Sequence, residues 1–212
     1  MMRTLLVARS FGITLVLTAA ATAYCALWPG SGVVVEIWFG HPPRGANSYE
    51  LAAVLLSIAL PLVSLNSLGL AEHDAIGEAR VPLLAHSVVL LVLPLVPFVA
   101  FYARVRLDGS ATDLPHPAGM LATLLVYSAV AAILIRLLGP LFGGAAVLVL
   151  YVGVVLAQHY FGSSWLGGVV STSLDWQTNP ALLLVVMVGA LTVNARTRGT
   201  LGRRLLIHAG NR

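Results

Sequence analysis

The chain predicts an all-α membrane protein of six transmembrane helices, on three observations. Of its 212 residues, 58% are hydrophobic and only 9% are charged, against roughly 25% charged in a soluble domain. The mean hydropathy is +0.92. Uncharged apolar runs of bilayer-spanning length recur from one end of the chain to the other. A soluble globule of this composition would lack the polar surface to cover itself, so a cytosolic enzyme, a nucleic-acid-binding domain and a disordered tail are excluded. The formal charge of +4 comes from twelve arginines and no lysine. No dense basic run is present that would track phosphates, so nucleic acid is not an expected partner.

The first run, residues 11–28, follows Arg3 and Arg9. That outline is shared with signal peptides, and Ala19-Ala20-Ala21 resembles a cleavage site. Its 18-residue length favours a retained span. The second run is 51–70, with Pro61 and Asn66 inside it, and the third is 81–103, containing Pro82, Pro94 and Pro97. The fourth and fifth, 117–135 and 137–157, are separated by Arg136 and joined at Gly139-Pro140. Together they are about twice the hydrocarbon thickness at about 1.5 Å per residue, so they must fold back as a tight hairpin. The sixth, 180–195, is the shortest. The whole chain, 1–212, reads as one transmembrane domain.

Arginine placement predicts the orientation. With the N-terminus inside, the inner segments hold Arg3, Arg9, Arg80, Arg136, Arg196, Arg198, Arg203, Arg204 and Arg212, and the outer ones hold Arg44, Arg104 and Arg106. That is a positive-inside bias with both termini cytoplasmic. Trp28, Trp38, Trp165 and Trp176 fall on the outer side, where aromatic belts form. Residues 1–10 read as an amphipathic interfacial segment. The outer segments 29–50 and 162–179 are too apolar for solvated loops and too short to span twice. Each is either a re-entrant piece packed on the spans or a loop lying on the lipid surface.

Five of the ten residues at 71–80 are ionisable: Glu72, His73, Asp74, Glu78 and Arg80. This segment joins the second and third spans on the cytoplasmic side. It is either a solvated turn or a short charged helix on which a cytoplasmic partner docks. Among the other polar residues, His86 reads as a packing or interfacial histidine and His159 as an interfacial one. Arg136 is expected to snorkel to the interface. Glu36 and Glu50 read as solvated outer-face acids, and Asn66, Ser64 and Ser67 as makers of interhelical hydrogen bonds.

This layout resembles the membrane subunits of exporter-type ABC transporters, the type-2 permeases. The similarity lies in six spans with both ends inside, an amphipathic start at 1–10, a charged coupling segment at 72–80 and a polar-apolar piece at 162–179 before the last span. Gly77-Glu78-Ala79-Arg80-Val81-Pro82-Leu83-Leu84, entering the third span, and Asn194-Ala195-Arg196-Thr197-Arg198, leaving the last, look like the family's corresponding stretches. The first outer loop is longer than the family's. The resemblance implies a bacterial plasma-membrane permease that exports a lipid, a peptide or a hydrophobic small molecule by alternating access. It implies a separate ATP-binding subunit docked on Glu72, His73, Asp74, Glu78 and Arg80, and a second permease copy or paralogue. ATP and magnesium would be held by that subunit, because a chain without lysine has no Gly-x-x-x-x-Gly-Lys-Ser/Thr loop.

Two other readings stand beside it. One is the substrate-capturing subunit of a vitamin importer; the other is an accessory or scaffold subunit of a larger membrane complex. Enzyme readings fail on the residues. Asp74-Ala75-Ile76-Gly77-Glu78-Ala79-Arg80 lacks the adjacent Asp-Gly and the further aspartates of the alcohol phosphatidyltransferases. Gly162-Ser163-Ser164-Trp165 is not a serine-protease nucleophile, and no His-Glu-x-x-His zinc site exists. The lone Cys25 excludes an intramolecular disulfide and a dithiol redox centre. The six histidines are scattered singly, so neither a metal nor any other cofactor is expected on this chain.

Overall fold

A computed structural model describes residues 11–28, 32–35, 44–64, 80–108, 117–161 and 179–197. Its helices are α1 (Phe11–Leu27), α2 (Ser48–Ser64), α3 (Arg80–Val92), α4 (Val96–Leu107), α5 (Pro117–Leu138), α6 (Pro140–Phe161) and α7 (Pro180–Thr197). Two strands, β1 (Gly32–Val35) and β2 (Arg44–Asn47), pair antiparallel, with Gly32 opposite Asn47 and Val35 opposite Arg44. Four helical rods are long and apolar enough to cross a membrane: Ala85–Leu107, α5, Pro140–Ala157 and α7. Helices α1 and α2 are apolar but shorter, at 17 residues each, or about 26 Å.

Each predicted span overlaps a helical stretch, although residues 65–70 of the second lie outside the described residues. Two departures have local causes. The third span is broken: α3 and α4 are joined by a single 3₁₀ turn at Leu93–Leu95. Pro94 in that turn lacks the N–H an α-helix needs, and its ring collides with the carbonyl one turn back. Pro97 then takes an early position in α4, where a missing N–H costs nothing. The second departure is the β ribbon. Part of the 29–50 segment is extended, which suits the run of β-branched valines at Val33, Val34 and Val35.

The α5–α6 hairpin turns on one residue. Gly139 has φ +89°, a left-handed conformation that glycine adopts without the Cβ penalty. Its N–H donates to the Ile135 carbonyl at 3.0 Å, which closes α5. Pro140 opens α6 at a position suited to its fixed φ. Replacing Gly139 with alanine is therefore expected to destabilise the protein by about 1 kcal/mol, read as a lower unfolding midpoint in detergent.

Packing partners fix the helix directions. Along α1, Leu17 and Ala21 meet Leu56 and Leu60, whereas Cys25 meets Tyr49 and Ala53, so α1 and α2 are antiparallel. Along α2, Val54 packs with Tyr127 and Tyr151, and Ile58 with Ile135 and Val147. Thus α2 runs with α5 and against α6. Ala190 packs on Ala129 and Ala132, and Gly189 faces Ile133, with Asn194 beside Arg136. Hence α7 also runs with α5. Leu91 meets Ala129, whereas Ser87 lies near Arg136, so α3 runs the opposite way. Successive rods alternate in direction. The start of α1 and the end of α7 share one end of the bundle with Ser64, Arg80 and the Gly139 turn.

The hub is α5, which packs against α2, α3, α6 and α7. Its inner face carries Met120, Leu124, Tyr127, Ala131, Ala132 and Ile135. The bundle's outer surface is apolar: Phe142 and Val149 on α6 are each 72% exposed, and Leu184 and Val185 on α7 are also exposed. Polar and charged residues sit inside instead, among them Glu50, Ser57, Ser128, Arg136 and Asn194. This inverted arrangement suits hydrocarbon as the surrounding solvent and identifies a membrane protein.

Candidate functional site

The buried polar groups fall along the contact between α2 and its neighbours. Glu50 opens this seam. It lies in the first turn of α2, where the helix dipole favours a negative charge. It is 2% exposed, and its Oε1 accepts a 2.7 Å hydrogen bond from the Tyr151 hydroxyl of α6. The Tyr127 ring of α5 stands edge-on to Tyr151 with ring centroids 5.7 Å apart. Three helices therefore meet at one carboxylate and two phenols.

Seven residues further along α2, on the same face, Ser57 and Ser128 of α5 share a 2.9 Å hydrogen bond. Each hydroxyl also donates to a carbonyl of its own helix, Ser57 to Ala53 and Ser128 to Leu124. A double-mutant cycle with Ser57→Ala and Ser128→Ala is expected to give a coupling of about 0.6 kcal/mol, the common size of such bonds between membrane helices.

At the other end of the seam lie Arg136 and Asn194. Arg136 is 4% exposed and points its guanidinium back along α5, with Nη1 3.5 Å from the Ala132 carbonyl. Asn194 of α7 and Ser87 of α3 are also buried there. Pro61 of α2 closes the group. Among the described residues, no three His, Cys, Asp or Glu side chains gather into a metal-holding cluster.

These positions revise several expectations. Glu50 was expected to be solvated and is instead buried, because Tyr151 reaches it from α6. Arg136 was expected to snorkel; its side chain instead turns inward, beside Ser87 of α3 and Asn194 of α7. Ser64 bonds within its own helix, to the Pro61 carbonyl at 3.0 Å, rather than between helices. Asn66 and Ser67, expected to act with Ser64, lie outside the described residues, as does Glu36; Ser57 does bond between helices, and sequence reasoning passed it over, as it did Tyr151. The seven-residue spacing of Glu50, Ser57 and Ser64 was the available signal: it puts all three on one helical face. His86 is half-buried on α3.

Of the charged segment, Glu72, His73, Asp74 and Glu78 lie outside the described residues. Arg80 is the first residue of α3. Residues 1–10 and 162–178, expected to be interfacial and re-entrant respectively, also lie outside the described residues. Comparison with known proteins finds no matching family, curated protein or solved structure.

Proposed function

We propose that the chain is the transmembrane subunit of an ATP-driven ABC exporter, with six crossings and both ends on the cytoplasmic side of a bacterial plasma membrane. In this reading a separate ATPase docks on Glu72, His73, Asp74, Glu78 and Arg80, and two permease chains move a lipid, peptide or hydrophobic small molecule by alternating access. The alternation of helix direction carries the reading. It brings Ser64 and Arg80, between which the charged residues 72–78 fall in the chain, to the end of the bundle where α1 begins and α7 finishes.

The buried seam supports transport over a purely structural role. Ionisable groups inside a membrane bundle are expensive, and they mark paths of substrate or charge. The break at Pro94 adds a deformable point in the third rod.

Affinity purification of the tagged protein from its native membrane in mild detergent tests the proposal. An ATP-binding subunit is expected at near one-to-one stoichiometry. Recovery without any ATPase, alone or with unrelated membrane subunits, overturns it. In the same complex, replacing Glu78 and Arg80 together with alanine is expected to uncouple ATP hydrolysis from transport while the protein stays folded. Unchanged transport would remove the docking role.

A further inference from the structure

Asn194 is 1% exposed, and among the described residues neither its Nδ2 nor its Oδ1 has a hydrogen-bond partner. Leaving both halves of a primary amide unmade inside an apolar bundle is costly, so native structures rarely do it. The side chain lines a cavity of about 10 Å³ together with Ser87, Arg136, Ala132 and Pro61. That volume admits one water-sized group between α2, α3, α5 and α7.

We propose that this cavity is a binding site for a single internal water molecule, held by Asn194. The chemistry of the lining selects the ligand. Asn194 presents a donor and an acceptor to the same small space. Water donates to Oδ1 and accepts from Nδ2. A monatomic anion would accept from Nδ2 and from the guanidinium but leave Oδ1 without a donor. A cation would face the permanent charge of Arg136. A ligand of one heavy atom that both donates and accepts is water. The Ser87 hydroxyl and the Arg136 guanidinium supply the further polar partners such a site needs.

The site has a structural consequence for α7. That helix otherwise meets α5 through apolar residues, with Ala190 on Ala129 and Ala132, Val186, Met187 and Leu191 packed around them, and Gly189 on the tip of Ile133. The water is the polar tie that fastens its far end to α3 and α5. This inference is independent of the transport reading.

Water-edited solid-state NMR of protein labelled with ¹⁵N-asparagine, in lipid bilayers, tests it. The Asn194 side-chain amide, assigned by its loss in Asn194→Asp or Asn194→Leu, is expected to receive polarisation from water at short mixing times. An amide that stays dark overturns the proposal. Asn194→Leu, close in shape, gives a second readout by thermal melting. A lower melting temperature is expected, because the water loses its holder; an unchanged or higher one means the amide was making nothing, and overturns the proposal. Replacing chloride with gluconate is expected to leave the wild-type melting temperature unchanged. A fall on removing chloride would assign the cavity to an anion instead.

Discussion

Replacing Gly143 with alanine is expected to destabilise the bundle by about 3 kcal/mol, the upper part of the usual range for overpacking a well-filled interior. Gly143 lies one turn into α6, four residues beyond the Gly139 turn, where α6 crosses back over α5. A Cβ at Gly143 would sit on the Cα of Ile135, 2.6 Å from its backbone nitrogen and 2.6 Å from the Leu134 carbonyl oxygen. The obstacles are backbone atoms of a helix that is itself locked by Gly139. No rotamer change relieves them, so the two helices must separate. Separation strips Ile135 and Val147 from their contact with Ile58 and Ala131. Small residues at helix crossings allow this kind of close approach in membranes.

The same substitution at Gly153 is the control. It lies in the same helix, with nothing within 4 Å of the added methyl. There alanine gains helix propensity, about 1 kcal/mol. Unfolding in mixed micelles, followed by circular dichroism, is expected to move in opposite directions for the two variants. A Gly143→Ala protein as stable as wild type would mean that the α5–α6 crossing has room for a methyl group at Gly143.

The helices were legible because the bilayer imposes a length on them. Uncharged runs at 11–28, 117–135 and 180–195 needed no tertiary information, and Gly139-Pro140 announced its turn through the conformations those two residues favour. The break at Pro94 was visible as a proline but not as a 3₁₀ turn, since a neighbouring helix decides how the freed carbonyls are satisfied. The interior polar groups were the least legible. Glu50 and Arg136 both lie near helix ends, where a sequence permits either exit to solvent or burial. The choice depends on Tyr151, 101 residues from Glu50, and on α3 and α7, which bring Ser87 and Asn194 beside Arg136. Asn194 was hidden in an otherwise apolar run. What identifies it is the absence of a bonding neighbour among the described residues, which no local pattern encodes.

The largest effect of a single hydroxyl is expected at Tyr151. Glu50 holds a carboxylate 2% exposed among Leu51, Val54, Val155 and two tyrosine rings, and Tyr151 donates to it at 2.7 Å. A hydrogen bond to a carboxyl group is worth about 1 kcal/mol when the acceptor is neutral and about 1.5–3 kcal/mol when it is charged. Tyr151→Phe keeps the ring, its edge contact with Tyr127 and its volume, so the loss is the hydroxyl alone. A destabilisation of about 2 kcal/mol is expected. Glu50→Gln retains an acceptor oxygen but lowers its charge, and is expected to cost less than Tyr151→Phe. In the double variant the two losses should not add, because once the Tyr151 hydroxyl is gone the weaker acceptor has no bond left to weaken; a coupling of about 1 kcal/mol is the expected result. Additive losses would place the Tyr151 hydroxyl on some other partner and detach the carboxylate from α6. If Glu50 serves transport as well as packing, Glu50→Gln separates the two. It largely preserves the fold while removing the charge, so a loss of transport at unchanged melting temperature assigns the charge to substrate or ion passage, whereas a fall in both together assigns it to the bundle's architecture.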